Sequence, residues 1–106
     1  MFRRRGRFHE LVERQLDLFA ADDADLLAEA VEAEATWNAA SADDAEEAYG
    51  DYQLVVDAIA DRLLDIRASY AQTLDDDATE EYEAEFTRAA TKRFRRYTTL
   101  LADLDE

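Results

Sequence analysis

Apolar residues recur along this chain at alternating spacings of three and four, a pattern typical of helices that bury one face. The first apolar stripe runs from Phe8 to Trp37, the second from Ala45 to Tyr70, and the third from Tyr82 to Leu104. The second stripe keeps a heptad-like repeat along its length. No segment of the sequence alternates between apolar and polar residues as a half-buried strand does. The pattern therefore predicts an all-α protein.

Residues that favour helix ends separate the second stripe from its neighbours. Ser41 is followed by a cluster of acids, which are favourable in the first turn of a helix, so we expect a turn near 38–42 with Ser41 as the N-cap. Asp77 and Glu80 have the spacing of a capping box, which predicts a second turn near 74–77.

The first stripe contains one ambiguous point, the segment "AADDADL" between Phe19 and Leu26. Its acids resemble a cap, yet the apolar phase continues through it at about 3.6 residues per turn. The sequence favours one long first helix and leaves open a bend or a break near 21–24.

These boundaries predict an elongated antiparallel bundle of three helices, at about 7–38, 42–73 and 77–104, joined by short loops. A chain of 106 residues fits one domain, so we assign residues 1–106 to a single helical bundle. Residues 1–6 form a basic N-terminal arm whose order the sequence leaves open.

The composition supports helices and raises one question. The chain has no proline, two glycines and 21 alanines. Gly50 lies inside the second stripe, where glycine costs about 1 kcal/mol relative to alanine. We expect either that a neighbouring backbone approaches Gly50 closely or that helix two breaks near its start.

Charge is segregated along the chain, whose formal net charge is −15. Residues 1–14 carry five arginines and two acids, residues 15–87 carry two arginines and 22 acids, and residues 88–106 carry five basic residues and three acids. The middle of the chain is therefore strongly acidic, and the basic residues concentrate at its two ends.

The segment "TKRFRRY" at 91–97 is the densest basic stretch in the second half of the chain. On a helical wheel its outward cations lie opposite Phe94 and Tyr97, so we expect both rings in the core rather than exposed for stacking on nucleic acid bases. We expect Arg93 and Arg96 to pair with acids in 19–28 and 54–62 and thereby neutralise the protein's own charge.

Eight basic residues remain candidates for contact with an anion or a partner. They fall in two groups, the N-terminal arm and the basic part of the last helix. They are Arg3, Arg4, Arg5, Arg7, Arg88, Lys92, Arg95 and Arg96. They support an alternative function, binding of nucleic acid or of an anionic surface through Arg3–Arg7 or Arg88–Arg96.

The sequence offers little catalytic chemistry. It has no cysteine, and its only histidine, His9, is expected on the solvent side of helix one. Glutamates spaced Glu-x-x-Glu occur three times, which leaves a Mg²⁺-dependent, all-helical nucleotide pyrophosphatase as a remote alternative. We assign no catalytic, cofactor-binding or metal-binding residue and expect no cofactor.

The favoured hypothesis is a small acidic helical-bundle protein that acts as a non-enzymatic protein-interaction or assembly module. Helix two carries apolar residues outside its main stripe, namely Leu54, Val55, Ala60 and Leu64. Pairing of two copies would cover them, so a homodimer is one candidate assembly, and a wide internal face is the other explanation. The sequence predicts a soluble, cytoplasmic protein that does not span a membrane.

The excess of acids predicts a stability that depends on salt. We expect the melting temperature to rise between low and physiological ionic strength, where the Debye length falls to about 8 Å and the acids repel one another less. Thermal unfolding followed by circular dichroism across a series of sodium chloride concentrations measures this. A melting temperature that stays constant or falls would contradict the prediction.

Overall fold

Four α-helices make up most of residues 6–98, the part of the chain that the computed structural model describes. They are α1 (His9–Asp22), α2 (Ala24–Ala39), α3 (Ala45–Ala71) and α4 (Asp76–Arg93), followed by a short 3-10 helix (Arg95–Tyr97). No strand occurs among these residues, so the all-α prediction is confirmed. The prediction of three helices is wrong in its count.

Asp23 divides the first predicted helix into α1 and α2. Its backbone leaves the helical conformation, with φ −109° and ψ 27°. Its carboxylate accepts hydrogen bonds from Arg62 of α3, with Nε 3.3 Å from both oxygens and Nη2 3.2 Å from Oδ2. The single helix over 7–38 is therefore wrong, and the alternative of a break near 21–24 is confirmed. The arginine that holds Asp23 comes from another helix, which the apolar pattern of the first stripe does not report.

The turn before α3 lies slightly later than the sequence indicates, over residues 40–44. Asp44 occupies the N-cap position, and Ser41 instead donates a hydrogen bond from Oγ to Asp44 Oδ2 at 3.2 Å. The serine therefore orders the turn rather than capping the helix. The predicted N-cap role of Ser41 and the predicted start of helix two at 42 are wrong by three residues.

Asp75 caps α4, two residues before the predicted capping box. Asp75 has an extended backbone, and its Oδ1 accepts a hydrogen bond from the Ala78 N–H at 2.8 Å. Asp76 and Asp77 then occupy the first helical turn, where the helix dipole favours acids. The predicted box of Asp77 with Glu80 is therefore wrong, because the chain already contains a better-placed aspartate.

Helix α4 ends at Arg93, well before the predicted end at 104. Thr98 donates a side-chain hydrogen bond from Oγ1 to the Phe94 carbonyl at 3.0 Å. The same carbonyl accepts the Tyr97 N–H at 2.8 Å, the 3-10 pattern, whereas in a continuing α-helix it would accept the backbone N–H of residue 98. Residues 99–106, the remainder of the predicted helix, lie outside the described residues.

The core lies where α1, α3 and α4 meet. Its largest side chains have at most 1% of their surface exposed, and they come from all three helices. They are Leu16 and Phe19 of α1, Ile59 and Leu63 of α3, and Tyr82 and Phe86 of α4. Fully burying each of these side chains contributes roughly 1.5–3 kcal/mol, so this junction is the main source of stability.

Tyr82 is the polar member of that core. Its hydroxyl donates to Gln15 Oε1 at 2.8 Å, and its ring meets Phe8 edge to face with centroids 5.6 Å apart. Burial raises the pKa of Tyr82 to about 12. The folded protein therefore holds this phenol neutral, and its contribution to stability is lost as pH rises from about 10, where an unfolded tyrosine ionises, through 12.

Helix α2 packs against the first half of α3 and forms a hairpin with it. Ala30 of α2 is fully buried, and Trp37 stacks on Tyr52 of α3 with centroids 5.5 Å apart. Helix α4 has 18 residues against 27 in α3 and starts beside the end of α3, so it stops short of the hairpin tip. The principal extents are 51 × 30 × 26 Å. Three helices surround the core, and two form the tip.

Gly50 lies within the continuous helix α3, and nothing comes within 4 Å of the position that a Cβ would take. Both expectations for Gly50 are therefore wrong, since no backbone approaches it and helix α3 does not break there. The residue is simply an exposed glycine in a helix interior.

Replacing Gly50 with alanine should raise the free energy of unfolding by about 0.5–1 kcal/mol, because alanine loses less backbone entropy in a helix. Urea unfolding of the variant and the wild type measures the difference. Gly6→Ala is the contrasting variant, since its Cβ would fall on the Glu85 carboxylate that accepts the Phe8 N–H. We expect Gly6→Ala to lower stability by about 1 kcal/mol. A loss of stability in Gly50→Ala would contradict the description of its surroundings.

Candidate interaction surfaces

The structure divides the basic stretch at 91–97 between different partners. Arg93 Nη1 lies 2.7 Å from Asp17 Oδ1 on α1, and Arg96 binds Glu34 on α2. Both cations therefore neutralise acids of the same chain. The acids differ from those expected in 19–28 and 54–62, because the chain leaves the helix after Arg93 and carries Arg96 to α2.

The aromatic residues of this stretch are half-buried rather than part of the core. Phe94 packs edge to face on Phe19, with centroids 5.3 Å apart, and the Arg93 guanidinium lies 5.6 Å from the Phe94 centroid. Tyr97 packs against the edge of the core. The prediction that both rings lie in the core is only partly right, since both are half-buried at its edge. The predicted helix would have placed them on its buried face, but α4 ends at Arg93.

Arg88 and Lys92 line a depression between α1 and α4 that we call the cationic groove. It has a volume of about 440 Å³. Its lining residues are Gly6, His9, Val12, Glu13, Glu85, Arg88, Ala89, Lys92 and Arg93. His9, expected to face solvent, is half-buried here. A wheel of α4 alone places Arg88 and Lys92 outward, and only the position of α1 turns that face into a groove.

The remaining candidate cations are scattered. Arg7 lies 3.9 Å from Glu81 and over the ring of Phe8, 5.1 Å from its centroid. Arg95 is exposed on the 3-10 helix, and no acid of residues 6–98 lies within 4 Å of it. The three arginines Arg3, Arg4 and Arg5 lie outside the described residues. The candidates therefore do not form one continuous basic surface within the described part of the chain.

A second depression, the hairpin groove, follows one side of the α2–α3 hairpin. It consists of two parts, of about 670 and 400 Å³, which share Thr36, Ala48 and Asp51 and are therefore continuous. Alanines supply much of its lining: Ala33, Ala39, Ala40 and Ala48. Small side chains let another backbone approach closely, so these alanines leave room for an approaching chain.

The rim of the hairpin groove is acidic. Five carboxylates line it, and its lining residues include no lysine or arginine. The five acids are Glu29, Glu32, Asp44, Glu47 and Asp51. Leu54, with 70% of its surface exposed, lies at the end of the groove near the bundle. The hairpin groove therefore combines a negative rim with an exposed apolar side chain.

Most of the apolar surplus expected on helix two is used inside the molecule. Val55 and Ala60 are buried, and Leu64 is half-buried against the core. Leu54 alone of the four is exposed. This distribution agrees with the wide internal face. Leu54 is one of four exposed large hydrophobic residues in the described part of the chain, with Leu18, Val31 and Tyr49. The homodimer stays a prediction.

Aromatic side chains close the hairpin near its tip. Trp37 lies between Tyr49 and Tyr52, with centroid distances of 4.8 and 5.5 Å. Burial raises the pKa of Tyr52, and the neighbouring Glu34 carboxylate raises it further. The three rings therefore join α2 to α3 near the tip of the hairpin. The hairpin groove was not predicted from the sequence. The many alanines between residues 33 and 48 were the available indication, because small side chains leave a depression between two helices.

Across residues 6–98, histidines and carboxylates do not gather in groups of three or more that could hold a metal ion. This part of the structure therefore offers no observation in favour of the Mg²⁺-dependent alternative. Within the same range, no helix has both the length and the apolarity needed to cross a bilayer.

Known family models, curated proteins and solved structures include none that matches this chain.

Substituting a paired and an unpaired cation of α4 should change the free energy of unfolding by different amounts. Arg93→Gln removes an interhelical pair and should lower the free energy of unfolding by up to about 1 kcal/mol, the range for exposed pairs. Lys92→Gln removes the same charge from the same helix without breaking a described pair and should have a smaller effect. Urea unfolding at low salt measures both. Equal losses would show that Arg93 acts only through net charge.

Proposed function

We propose that this protein is a non-enzymatic interaction module whose hairpin groove binds a cationic amphipathic helix of a partner protein. The observation that carries the proposal is the hairpin groove itself, a continuous depression with an alanine lining and an acidic rim. Recognition of an amphipathic helix in such a groove depends on apolar anchors along one helix face.

The dimensions of the hairpin groove suit that partner. On α2 the lining extends from Glu29 to Ala39, about 15 Å at 1.5 Å per residue, which corresponds to nearly three helical turns. Leu54 offers one exposed apolar anchor at the end of the groove. A partner helix would lay small and apolar residues on the alanines and extend lysines or arginines to the rim.

Charge favours a basic partner over a second copy of this chain. The formal net charge of −15 attracts cationic segments over a long range, and the five rim carboxylates act at contact. Two copies meeting through this face would bring two acidic rims together. Like charges placed opposite each other oppose association, so the occupant of the hairpin groove is a different chain.

A synthetic amphipathic helix of lysine, alanine and leucine, labelled with a fluorophore, tests the proposal by fluorescence anisotropy at physiological salt. Leu54→Ser should weaken binding about tenfold, the effect expected from losing one buried leucine side chain. Leu18→Ser is the matched control, because Leu18 is also exposed (56%) but lies on α1. We expect Leu18→Ser to change the affinity less than twofold.

A peptide of the same composition but scrambled order separates specific binding from general charge attraction. Equal affinity for the ordered and scrambled peptides, or equal loss in the two leucine variants, would contradict the proposal. Sedimentation of the protein without peptide tests separately whether two copies form a homodimer.

A further inference from the structure

Two cations of α4 line the cationic groove and form no salt bridge with an acid of residues 6–98. Arg88 and Lys92 are four residues apart on one helix face, about 6 Å along the axis. Within residues 6–98 no carboxylate lies within 4 Å of either side chain. In a chain with 27 acids and 12 basic residues, cations that face a groove rather than an acid are available to an anion from outside.

The groove is built from two elements, α1 and α4. The half-buried His9 lies on the opposite wall, on α1, and Arg93 lies in the lining from α4. Arg93 is held by Asp17 and by the face of Phe94, so its position is defined before any ligand arrives. The volume of about 440 Å³ lies within the range of small-molecule pockets.

Two carboxylates also line the groove, and they narrow the class of ligand. Glu85 is already engaged, since its Oε2 accepts the Phe8 N–H at 3.1 Å. Glu13 is exposed and has no described partner among residues 6–98, so it can accept a hydrogen bond from a hydroxyl. We propose that the cationic groove binds the phosphate group of a small phosphorylated molecule that also carries hydroxyl groups, such as a sugar phosphate.

A short ligand fits this groove better than a nucleic acid strand. A strand needs a basic track along its backbone, and Arg93 and Arg96, which would extend such a track, are bound to Asp17 and Glu34. Beyond the groove the surface is dominated by the 22 acids of residues 15–87. These acids repel an extended polyanion more strongly than a single phosphate.

NMR titration of the ¹⁵N-labelled protein with ribose 5-phosphate, at constant ionic strength, tests the proposal. Saturable shifts are expected at His9 and Ala89, which line the groove. Arg88→Gln and Lys92→Gln should each weaken binding by about fivefold or more, since each removes a charge-assisted hydrogen bond. Inorganic phosphate, which lacks the ribose hydroxyls, should bind more weakly, and Glu13→Gln should reduce that preference.

Arg95→Gln is the matched control, because it removes one exposed positive charge from the 3-10 helix that follows α4 without altering the lining of the groove. We expect the affinity of Arg95→Gln to stay within twofold of the wild type. Circular dichroism checks that all variants are folded. An equal loss in Lys92→Gln and Arg95→Gln, or shifts that do not saturate, would overturn the proposal. Tighter binding of a short single-stranded RNA, weakened equally by both variants, would overturn it in favour of a polyanion surface.

Discussion

The packing of α4 against α1 through Tyr82 is the contact on which the rest of the structure depends. Tyr82 has no exposed surface, and it meets Phe8 edge to face at 5.6 Å while its hydroxyl binds Gln15. Both partners belong to the first helical turns of the chain, so this contact closes α4 onto α1. That closure creates the wall of the cationic groove and the site of the Arg93–Asp17 pair.

Charge shapes the outside of the molecule as strongly as the core shapes its inside. With a net charge of −15, helices can pack only if their acidic faces point away from one another or meet a cation. Arg62 meets Asp23 at the α1–α2 break, and Arg96 meets Glu34. Five further acids line the hairpin groove, and Arg88 and Lys92 line the cationic groove. The two grooves therefore present opposite charges on different helix pairs.

The apolar spacing was sufficient to predict helices and most of the buried residues, because burial of one helix face imposes that spacing. It also identified two places that needed the tertiary structure. At residues 21–24 the continuity of the helix was open, and at residues 91–97 the binding partners of the cations were open. It did not place the end of α4, since the change from α-helical to 3-10 hydrogen bonding at Phe94 is not visible in the apolar period. The division of the described candidate cations between ion pairs and a groove was not foreseen, because it depends on which helices meet.

The amino-acid sequence by itself determined the helical class, the acidic character and the approximate turns, because these depend on neighbours within a few residues. Tertiary structure decided the break at Asp23, where the binding arginine comes from 39 residues away. It also decided which cations are neutralised, since Asp17 and Arg93 meet only after α4 folds back along α1. Grooves exist only between helices, so neither candidate surface was visible in a single helix wheel.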